Sequence, residues 1–389
     1  MSQPFIPYSR QSIDQSDVDA VVAAMKDDFI TQGPRIDAFE RAVADLHDCA
    51  HGVAVCNATA ALHIACLALD VGPGDLVWTS PNTFVASANC ARYCGADVDF
   101  VDIDPETRNM SLAALEAKLA SAKAAGRLPK VVIPIDFSGL PCPMPEIAAL
   151  AAEYGFRIIE DASHALGASI DGTMVGSRWA DITVLSFHAV KIITSAEGGM
   201  LITQDEGLAD RLRLLRSHGI TRDTDLMENE SDGPFYYEQV TLGYNYRITD
   251  LQAALGTSQL ARLPARHAER EARAKRYDEI LADLPLKLTP RIAGHVSAHH
   301  LYVVEILDEK TDRRALFEHL RESGIGANVH YIPVHIQPDY TRLGFARGDF
   351  PAAETYYDRC ITIPLYPEMS DADQDRVAAA LKSGLAAAR

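Results

Sequence analysis

The residue with the clearest potential for covalent chemistry is Lys191, which follows an apolar stretch of residues 182–187 that is typical of a buried strand. A lysine just past a buried strand can be partly desolvated. Desolvation lowers the pKa of the amine and makes it a nucleophile toward carbonyl groups. Most lone lysines of this kind are simply solvated loop residues, so a functional interpretation of Lys191 depends on complementary groups elsewhere in the chain.

Such groups occur in residues 158–167, IIEDASHALG, where Asp161 ends a second apolar strand and His164 follows three residues later. An imine-forming lysine and a carboxylate that faces a protonated pyridine nitrogen are what pyridoxal 5'-phosphate (PLP) needs from a protein. His164 could then hydrogen-bond the ring hydroxyl. Taken alone, Asp161 would be interpreted as a helix cap and His164 as a satisfied structural histidine.

Three further stretches could complete a PLP site. Asn57, Ala58 and Thr59 open a predicted helix directly after a strand, where free backbone N–H groups favour a phosphate. The alternative is a plain N-cap by Asn57 or Thr59. Ser186, at the end of its strand, would add a hydroxyl to the phosphate site. Phe84, in PNTFVAS, could stack on an aromatic ring or simply fill the core.

The composition argues against several classes of function. The 389 residues are too many for one small core and suit two domains. A formal net charge of −18 argues against nucleic acid and anionic membrane surfaces as partners. The most apolar long stretch, residues 53–71, is interrupted by polar side chains, so we predict no membrane span. Seven cysteines without a CxxC pair indicate reduced thiols, a cytoplasmic protein and no metal site.

Short apolar strands alternate with helices from residue 53 to residue 203, which is the pattern of an α/β domain with a mostly parallel sheet. The strand of residues 200–203 follows its predecessor with little room for a crossover helix, so we expect it to be antiparallel. Open sheets of this kind bind ligands at the carboxyl ends of their strands. The polar candidates that follow four different strands should therefore meet at one edge of the sheet.

The chain divides into three predicted parts: an N-terminal arm of residues 1–13, a large α/β domain of residues 14–263 and a smaller C-terminal domain of residues 264–389. Pro264 breaks the helical pattern before it, and a helix from residue 267 to residue 281 should bridge to the small domain. In the small domain we expect strands at residues 300–306 and 327–331 and helices at residues 312–323 and 371–388.

The chain also resembles a known family. The resemblance runs from about Ile6 to the C-terminus and rests on the motifs NATAALH, PNTFVASAN, EDASHALGA, SFHAVKIITSAEGG, LRSHG, GYNYRITDLQAALG and NVHYIPVH. These are similar to motifs of the DegT-type nucleotide-sugar aminotransferases, which are PLP enzymes with the aspartate aminotransferase fold (fold type I). The resemblance implies that α/β fold, with a large mostly parallel sheet domain and a smaller C-terminal domain, and PLP as the cofactor.

The resemblance implies roles for individual residues as well. Lys191 would be the Schiff-base lysine and Asp161 the partner of the ring nitrogen, with His164 near the ring hydroxyl and Phe84 stacked on the ring. Asn245 would reach the phosphate of the other subunit's cofactor, which implies a homodimer with shared active sites. The phosphate would otherwise lie among Asn57, Ala58, Thr59 and Ser186.

Within the family, the motifs FHAVKIIT and RSHGITRD are most similar to the branch that acts in pseudaminic acid biosynthesis. That branch aminates C4 of UDP-2-acetamido-2,6-dideoxy-β-L-arabino-hex-4-ulose with L-glutamate. The likeness implies substrate contacts from residues outside the cofactor motifs, namely Tyr8, Phe29, Ile30, Thr31, Asn328, His330 and Tyr331. Two residues depart from near relatives. Ala58 stands where many have glycine, and Asp136 stands where many have histidine, which could alter the sugar pocket.

Three alternatives stay open on the sequence. The first is an aminotransferase for another UDP- or dTDP-linked keto-deoxysugar, acting at C3 or C4. The second is a sugar 3-dehydratase on the same scaffold, against which Lys191 argues because those relatives have histidine there. The third is a regulator that has kept the fold and lost the site, against which the intact Lys191, Asp161 and Asn245 argue.

Overall fold

The computed structural model describes residues 4–388, so the first three residues of the predicted arm lie outside the described part of the chain. The helices are α1 (Gln15–Ala24), α2 (Pro34–Leu46), α3 (Ala58–Ala68), α4 (Ala86–Tyr93), α5 (Leu112–Ala124), α6 (Met144–Tyr154), α7 (Glu206–Arg216), α8 (Asp250–Leu260), α9 (Leu263–Ile280), α10 (Arg313–Glu322), α11 (Pro338–Thr341), α12 (Pro351–Arg359) and α13 (Asp371–Ala387). The strands are β1 (His51–Val55), β2 (Leu76–Thr79), β3 (Asp97–Phe100), β4 (Val131–Ile133), β5 (Arg157–Asp161), β6 (Ser169–Ile170), β7 (Thr173–Met174), β8 (Ile182–Ser186), β9 (Gly199–Thr203), β10 (Ile220–Thr221), β11 (Glu238–Gln239), β12 (Leu286–Lys287), β13 (His295–Val296), β14 (Tyr302–Ile306) and β15 (Cys360–Ile363).

The large sheet has seven strands in the order β1-β9-β8-β5-β4-β2-β3. The neighbours from β8 to β3 run parallel. Strand β9 is antiparallel to both β1 and β8, which confirms the sequence prediction. The register pairs Gly199 with Val55 on one side and with Ser186 on the other. The ends of β1 and β8, each followed by predicted site residues, therefore flank the same glycine.

Helices cover the large sheet on both faces. Successive residues of a strand point to opposite faces. Val184 of β8 belongs to a core cluster that includes residues of α3, α4 and α7, whereas Leu185 belongs to a cluster that includes residues of α2 and α8. Burial on both faces explains why β8 is a continuous apolar run in the sequence rather than an alternating one.

The second sheet consists of β12, β14 and β15, all antiparallel, and packs against α10 and α13. Strand β14 lies within the predicted strand of residues 300–306. The predicted strand of residues 327–331 is wrong. In that segment only Asn328 forms a bridge, to Thr362 of β15. Its apolar and aromatic residues line a cavity instead of one face of a sheet.

The sequence prediction around Pro264 also needs correction. Helix α9 begins at Leu263, not at residue 267, so Pro264 occupies the first turn of the helix. A proline in the first turn loses no hydrogen bond, because the first N–H groups of a helix have no intrahelical acceptor. Within residues 4–388, none of the helices is both long and apolar enough to cross a bilayer.

The N-terminal arm is attached to segments that flank the second sheet. The backbone N–H of Ile6 donates to the carbonyl of Gly324 at 2.9 Å, and the N–H of Gly326 donates to the carbonyl of Ile6 at 2.7 Å. The N–H of Leu365 donates to the carbonyl of Tyr8 at 3.0 Å. These hydrogen bonds hold Tyr8 near the carboxyl edge of the large sheet.

Candidate active site

The polar residues that follow β1, β2, β5 and β8 meet in one cavity at the carboxyl edge of the large sheet, as the alternating pattern predicts. The cavity has a volume of about 610 Å³, within the range of roughly 300–1,000 Å³ that is typical of small-molecule sites. The predicted site residues in its wall are Tyr8, Asn57, Ala58, Thr59, Phe84, Asp161, His164, Ser186, Lys191, Asn328, His330 and Tyr331.

Lys191 lies in the connection between β8 and β9, where its backbone N–H donates to the carbonyl of His188 at 2.9 Å. Burial in the cavity wall lowers the pKa of the Lys191 amine to about 8, and the negative charge of Asp161 partly opposes that shift. An amine with this pKa is neutral in an appreciable fraction of molecules near neutral pH. Only the neutral amine attacks a carbonyl carbon.

Asp161 is the last residue of β5, and its side chain is fixed by two hydrogen bonds. The hydroxyl of Ser87 donates to Oδ2 at 2.7 Å, and the backbone N–H of Ser163 donates to Oδ1 at 3.2 Å. The Ser87 hydroxyl in turn lies 2.9 Å from the hydroxyl of Thr83. Only 5% of Asp161 is exposed, so its carboxylate has a fixed direction at the cavity wall.

His164 lies three residues beyond Asp161, the end of β5, and is buried. Its Nδ1 accepts a hydrogen bond from the backbone N–H of Ser138 at 3.2 Å, and its Nε2 lies 3.2 Å from the hydroxyl of Tyr331. Its ring centroid is 4.4 Å from that of His300. Burial, followed by the charges of Lys191 and His330, holds the pKa of His164 well below its ordinary value.

The N-terminus of α3 faces the same cavity. The side chain of Asn57 accepts a hydrogen bond from the N–H of Ala60 at 2.8 Å, so the N-cap interpretation of Asn57 is correct. The N–H groups of the first helical residues, Ala58 and Thr59, have no acceptor within the helix. Gly199 packs directly on this turn, because a Cβ there would lie 2.6 Å from the carbonyl carbon of Asn57 and 2.7 Å from the nitrogen of Ala58.

The other side of the cavity is aromatic. Phe84 is 58% exposed, which contradicts a core role for its ring, and its centroid is 6.4 Å from that of Tyr331. Tyr8 lies with its ring centroid 5.6 Å from that of His330. Burial, with a smaller effect of the Lys191 charge, lowers the pKa of His330 to about 3. The ring of His330 is therefore neutral near neutral pH.

Four predicted residues lie outside this cavity. Phe29 and Ile30 are exposed, at 58% and 50%, and Thr31 forms a bridge with Thr249. Asn245 is exposed and forms a bridge with Ser217. Phe29 lines a separate cleft of about 380 Å³ that also contains Arg247. Within one chain, these four residues lie apart from the cavity that contains Lys191.

Asp136 does not line the cavity either. It is fully buried, and its Oδ1 accepts a hydrogen bond from the backbone N–H of Cys142 at 2.8 Å. Asp136 therefore does not contact the pocket directly, contrary to what its expected effect on the sugar pocket would suggest. The side chain shapes the loop from Phe137 to Cys142 instead.

Sequence analysis missed three residues that the structure places at the site: Ser87, Ser138 and His300. Ser87 lies one helical turn after Thr83 in the same motif, so helical spacing could have identified it. Ser138 contributes a backbone N–H, for which no side-chain signal exists. His300 lies at the start of a predicted strand, where a buried histidine is ordinarily structural.

These groups fit PLP. The cavity offers a partly neutral amine for its aldehyde, a fixed carboxylate for its ring nitrogen, and a helix N-terminus near the hydroxyls of Thr59 and Ser186 for its phosphate. When bound, PLP supplies an electron sink that allows an amino group to move between two carbon skeletons.

The chain belongs to the DegT/DnrJ/EryC1/StrS aminotransferase family, whose model matches residues 11–382. Spore coat polysaccharide biosynthesis protein SpsC of Bacillus subtilis is 39% identical over 383 residues, which are 97% of this chain and 96% of SpsC. Among solved structures, Helicobacter pylori PseC, an aminotransferase involved in pseudoaminic acid biosynthesis, matches with a TM-score of 0.90 at 29% identity. That match covers 98% of this chain and 100% of PseC.

A further solved structure is the Spr1654 protein of Streptococcus pneumoniae. Its PLP and PMP forms match with TM-scores of 0.89 and 0.90 at 28% identity, over 99% of this chain and 100% of Spr1654. Family membership and these structures establish a PLP-dependent sugar aminotransferase of fold type I. A nucleotide sugar and an amino donor are the substrates that the family implies.

Proposed function

We propose that the enzyme transfers the amino group of L-glutamate to C4 of UDP-2-acetamido-2,6-dideoxy-β-L-arabino-hex-4-ulose, a step of pseudaminic acid biosynthesis. The observation that carries this proposal is the whole-length similarity to Helicobacter pylori PseC. The positions of Tyr8, Asn328 and His330 support it, because they line the same cavity as Lys191 without belonging to the cofactor motifs.

In the proposed reaction each side chain of the cavity has a separate role toward the cofactor. Nζ of Lys191 would hold the aldehyde carbon of PLP and, once free, would carry a proton to and from the substrate carbon. Asp161 would keep the ring nitrogen protonated. Phe84 would cover one face of the ring. The phosphate would be held by Asn57, Ala58, Thr59 and Ser186.

We also propose that the active enzyme is a homodimer with shared sites. PLP and glutamate are anions, yet Lys191 is the one lysine or arginine among the described residues that line the cavity. Phe29 and Ile30 are exposed, and Phe29 lines a cleft together with Arg247, which is two residues from Asn245 in the sequence. Exposed apolar side chains of this kind are typical of a contact with another subunit, where they would complete the partner's cavity.

A second substrate assignment has its own support. SpsC, named for spore coat polysaccharide biosynthesis, has 39% identity to this chain, which is higher than the 29% of PseC. An aminotransferase for a different UDP- or dTDP-linked keto-deoxysugar, acting at C3 or C4, is therefore the alternative.

A cytoplasmic location completes the proposal. All seven cysteines are free thiols, and five of them are buried. Free thiols persist in the reducing environment of the cytoplasm, whereas disulfides form in oxidising compartments.

The substrate assignment is tested by supplying the holoenzyme and L-glutamate with either the L-arabino 4-keto UDP-sugar or its D-xylo epimer. We expect strong preference for the L-arabino sugar, because a displacement of the carbonyl by about 1 Å can cost on the order of a hundredfold in rate. Products are identified by mass spectrometry and NMR. Equal turnover of both sugars, or amination of the D-xylo sugar only, would contradict the pseudaminic assignment.

A further inference from the structure

The backbone fixes the tautomer of His164. The N–H of Ser138 donates to Nδ1 at 3.2 Å, so Nδ1 is an acceptor and carries no proton. The lowered pKa of the ring keeps it neutral near neutral pH. A neutral imidazole without a proton on Nδ1 has its proton on Nε2. His164 therefore presents an N–H donor at Nε2.

The loop that supplies this N–H is held in place on several sides. Ser138 has a φ of +63°, in the left-handed region, and its hydroxyl donates to the carbonyl of Leu301 at 2.7 Å. Gly139 has a φ of +100°, and a Cβ there would lie 2.9 Å from both the carbonyl oxygen of His164 and the nitrogen of His299. A side chain at Gly139 would push the loop away from His164.

The donor at Nε2 faces the hydroxyl of Tyr331, 3.2 Å away. Because Nε2 carries the proton, the phenol oxygen is the acceptor in this pair, and the phenol hydrogen is free to point elsewhere. Burial raises the pKa of the Tyr331 phenol, so it keeps that hydrogen near neutral pH. Both residues line the cavity. The phenol hydrogen can therefore reach an acceptor in the cavity, and the Nε2 hydrogen can be shared between the phenol oxygen and that acceptor.

We propose that Tyr331 is a second donor, beside His164, to the ring hydroxyl oxygen of bound PLP, and that the Ser138 N–H is the positioning group that aims His164. The proposal rests on the proposed function and on the role of His164 at that oxygen, which the family resemblance implies. In cofactor-bound Lys191 the ring oxygen shares the proton on Nζ. Each donor draws charge from the oxygen and weakens its hold on that proton. Loss of either donor should therefore raise the pH at which Nζ loses its proton.

Few other groups around Lys191 could change their charge in the pH range in which Nζ would be titrated. The titratable side chains that interact with its charge are Asp161, His164, His300 and His330. Tyr8, His188, Glu197 and Tyr331 also lie in the cavity wall. Burial lowers the pKa of His164, His300 and His330, so these three rings stay neutral through the neutral pH range.

The first test compares two replacements of His164 in the holoenzyme without substrate. His164→Gln places an amide nitrogen near the position of Nε2, whereas His164→Asn places an amide near Nδ1 and removes the donor. The visible absorbance of the bound cofactor is followed against pH. We expect His164→Gln to titrate close to the wild type and His164→Asn to titrate about one to two pH units higher. The opposite result, or equal shifts in both variants, would show a purely structural histidine and overturn the proposal.

The second test uses Tyr331→Phe, which keeps the ring and removes only the hydroxyl. Tyr8→Phe is the matched control, because Tyr8 lines the same cavity and makes no hydrogen bond to His164 within the described residues. We expect an upward shift of about one pH unit for Tyr331→Phe and none for Tyr8→Phe. An unshifted Tyr331→Phe would overturn the role of Tyr331. Circular dichroism confirms folding, and the result does not depend on which sugar is the substrate.

Discussion

The hydroxyl of Ser87 donates a hydrogen bond to Oδ2 of Asp161 over 2.7 Å and thereby joins the first turn of α4 to the end of β5. Thr83, 2.9 Å from Ser87, extends the network to the end of the loop after β2. Two strands that are not neighbours in the large sheet are thus linked at the point where a ring nitrogen would be held. The direction of the Asp161 carboxylate depends on this link.

Removal of that link should impair catalysis more than folding. We expect Ser87→Ala to reduce kcat by roughly tenfold, because a hydrogen bond to a buried charged group contributes about 1.5–3 kcal/mol and the Ser163 N–H still holds the other oxygen. Ser87→Thr, which keeps a hydroxyl, is the matched control and should retain most of the activity. Steady-state kinetics and the cofactor dissociation constant distinguish the two variants. Normal kcat in Ser87→Ala would refute a role for this contact.

The Lys191 amine is the group without which no turnover is expected. Lys191→Ala should fold normally and show no measurable transamination, because the remaining side chain cannot bind the cofactor aldehyde covalently. The exposed Lys310→Ala is the control and should be fully active. Product formation is followed by mass spectrometry, with circular dichroism as the folding check. Full activity of Lys191→Ala would disprove the mechanism.

The proposed shared site can be tested with hybrid dimers. Lys191→Ala and Asn245→Ala chains should each be inactive alone. In a hybrid dimer, one site combines the intact lysine of one chain with the intact asparagine of the other. If mixing is random, half of the dimers are hybrids with one good site, so about one quarter of wild-type activity should return. Chain exchange is verified by native mass spectrometry, and exchange without regained activity would exclude the shared site.

Close packing at Gly199 predicts a defect in both stability and cofactor binding. Gly199→Ala would place its Cβ 2.6 Å from the carbonyl carbon of Asn57, so α3 must shift. We expect a destabilisation of about 1–3 kcal/mol and weaker binding of PLP. Gly72→Ala, where nothing lies within 4 Å of the new Cβ, should change the free energy of unfolding by less than about 0.5 kcal/mol. Chemical denaturation and a PLP titration measure both effects.

A buried pair of acids should make stability depend on pH. Burial raises the pKa of Glu160 to about 7, and burial together with the charge of Glu160 raises that of Asp136 well above its ordinary value. At this pair the folded protein therefore binds more protons than the unfolded chain between about pH 4.5 and about pH 7, so the contribution of the pair to the free energy of unfolding should fall as pH rises through that range. We expect Glu160→Gln to flatten this dependence. A slope unchanged in Glu160→Gln, measured by urea denaturation, would contradict it.

Local patterns predicted the parts of the site that belong to the large sheet. Asp161 and Ser186 end apolar strands, and Asn57 and Phe84 follow others. Parallel strands bring their carboxyl ends together, so spacing along the chain was sufficient. The segment of residues 327–331 was predicted wrongly because residues that line a cavity show the same apolar and polar alternation as a strand. Nothing in local spacing distinguishes a sheet face from a cavity wall.

Two other features depend on contacts that a single sequence does not reveal. The donor to His164 is a backbone N–H, and its position depends on a loop held by Leu301, which is far away in the chain. Phe29 and Asn245 are exposed and lie outside the cavity that contains Lys191 within one subunit. Their proposed function requires a second copy of the chain, because only a partner would bring them to a cavity.

The attachment of the arm through Ile6 and Tyr8 has a consequence for the order in which the cavity is completed. The arm is bonded to Gly324, Gly326 and Leu365. The hydroxyl of Ser9 also donates to the carbonyl of Val190, next to Lys191, at 3.2 Å. Leu365 leaves the ribosome long after Tyr8, so the Tyr8 side of the cavity should form only after the C-terminal segments have been synthesised and folded.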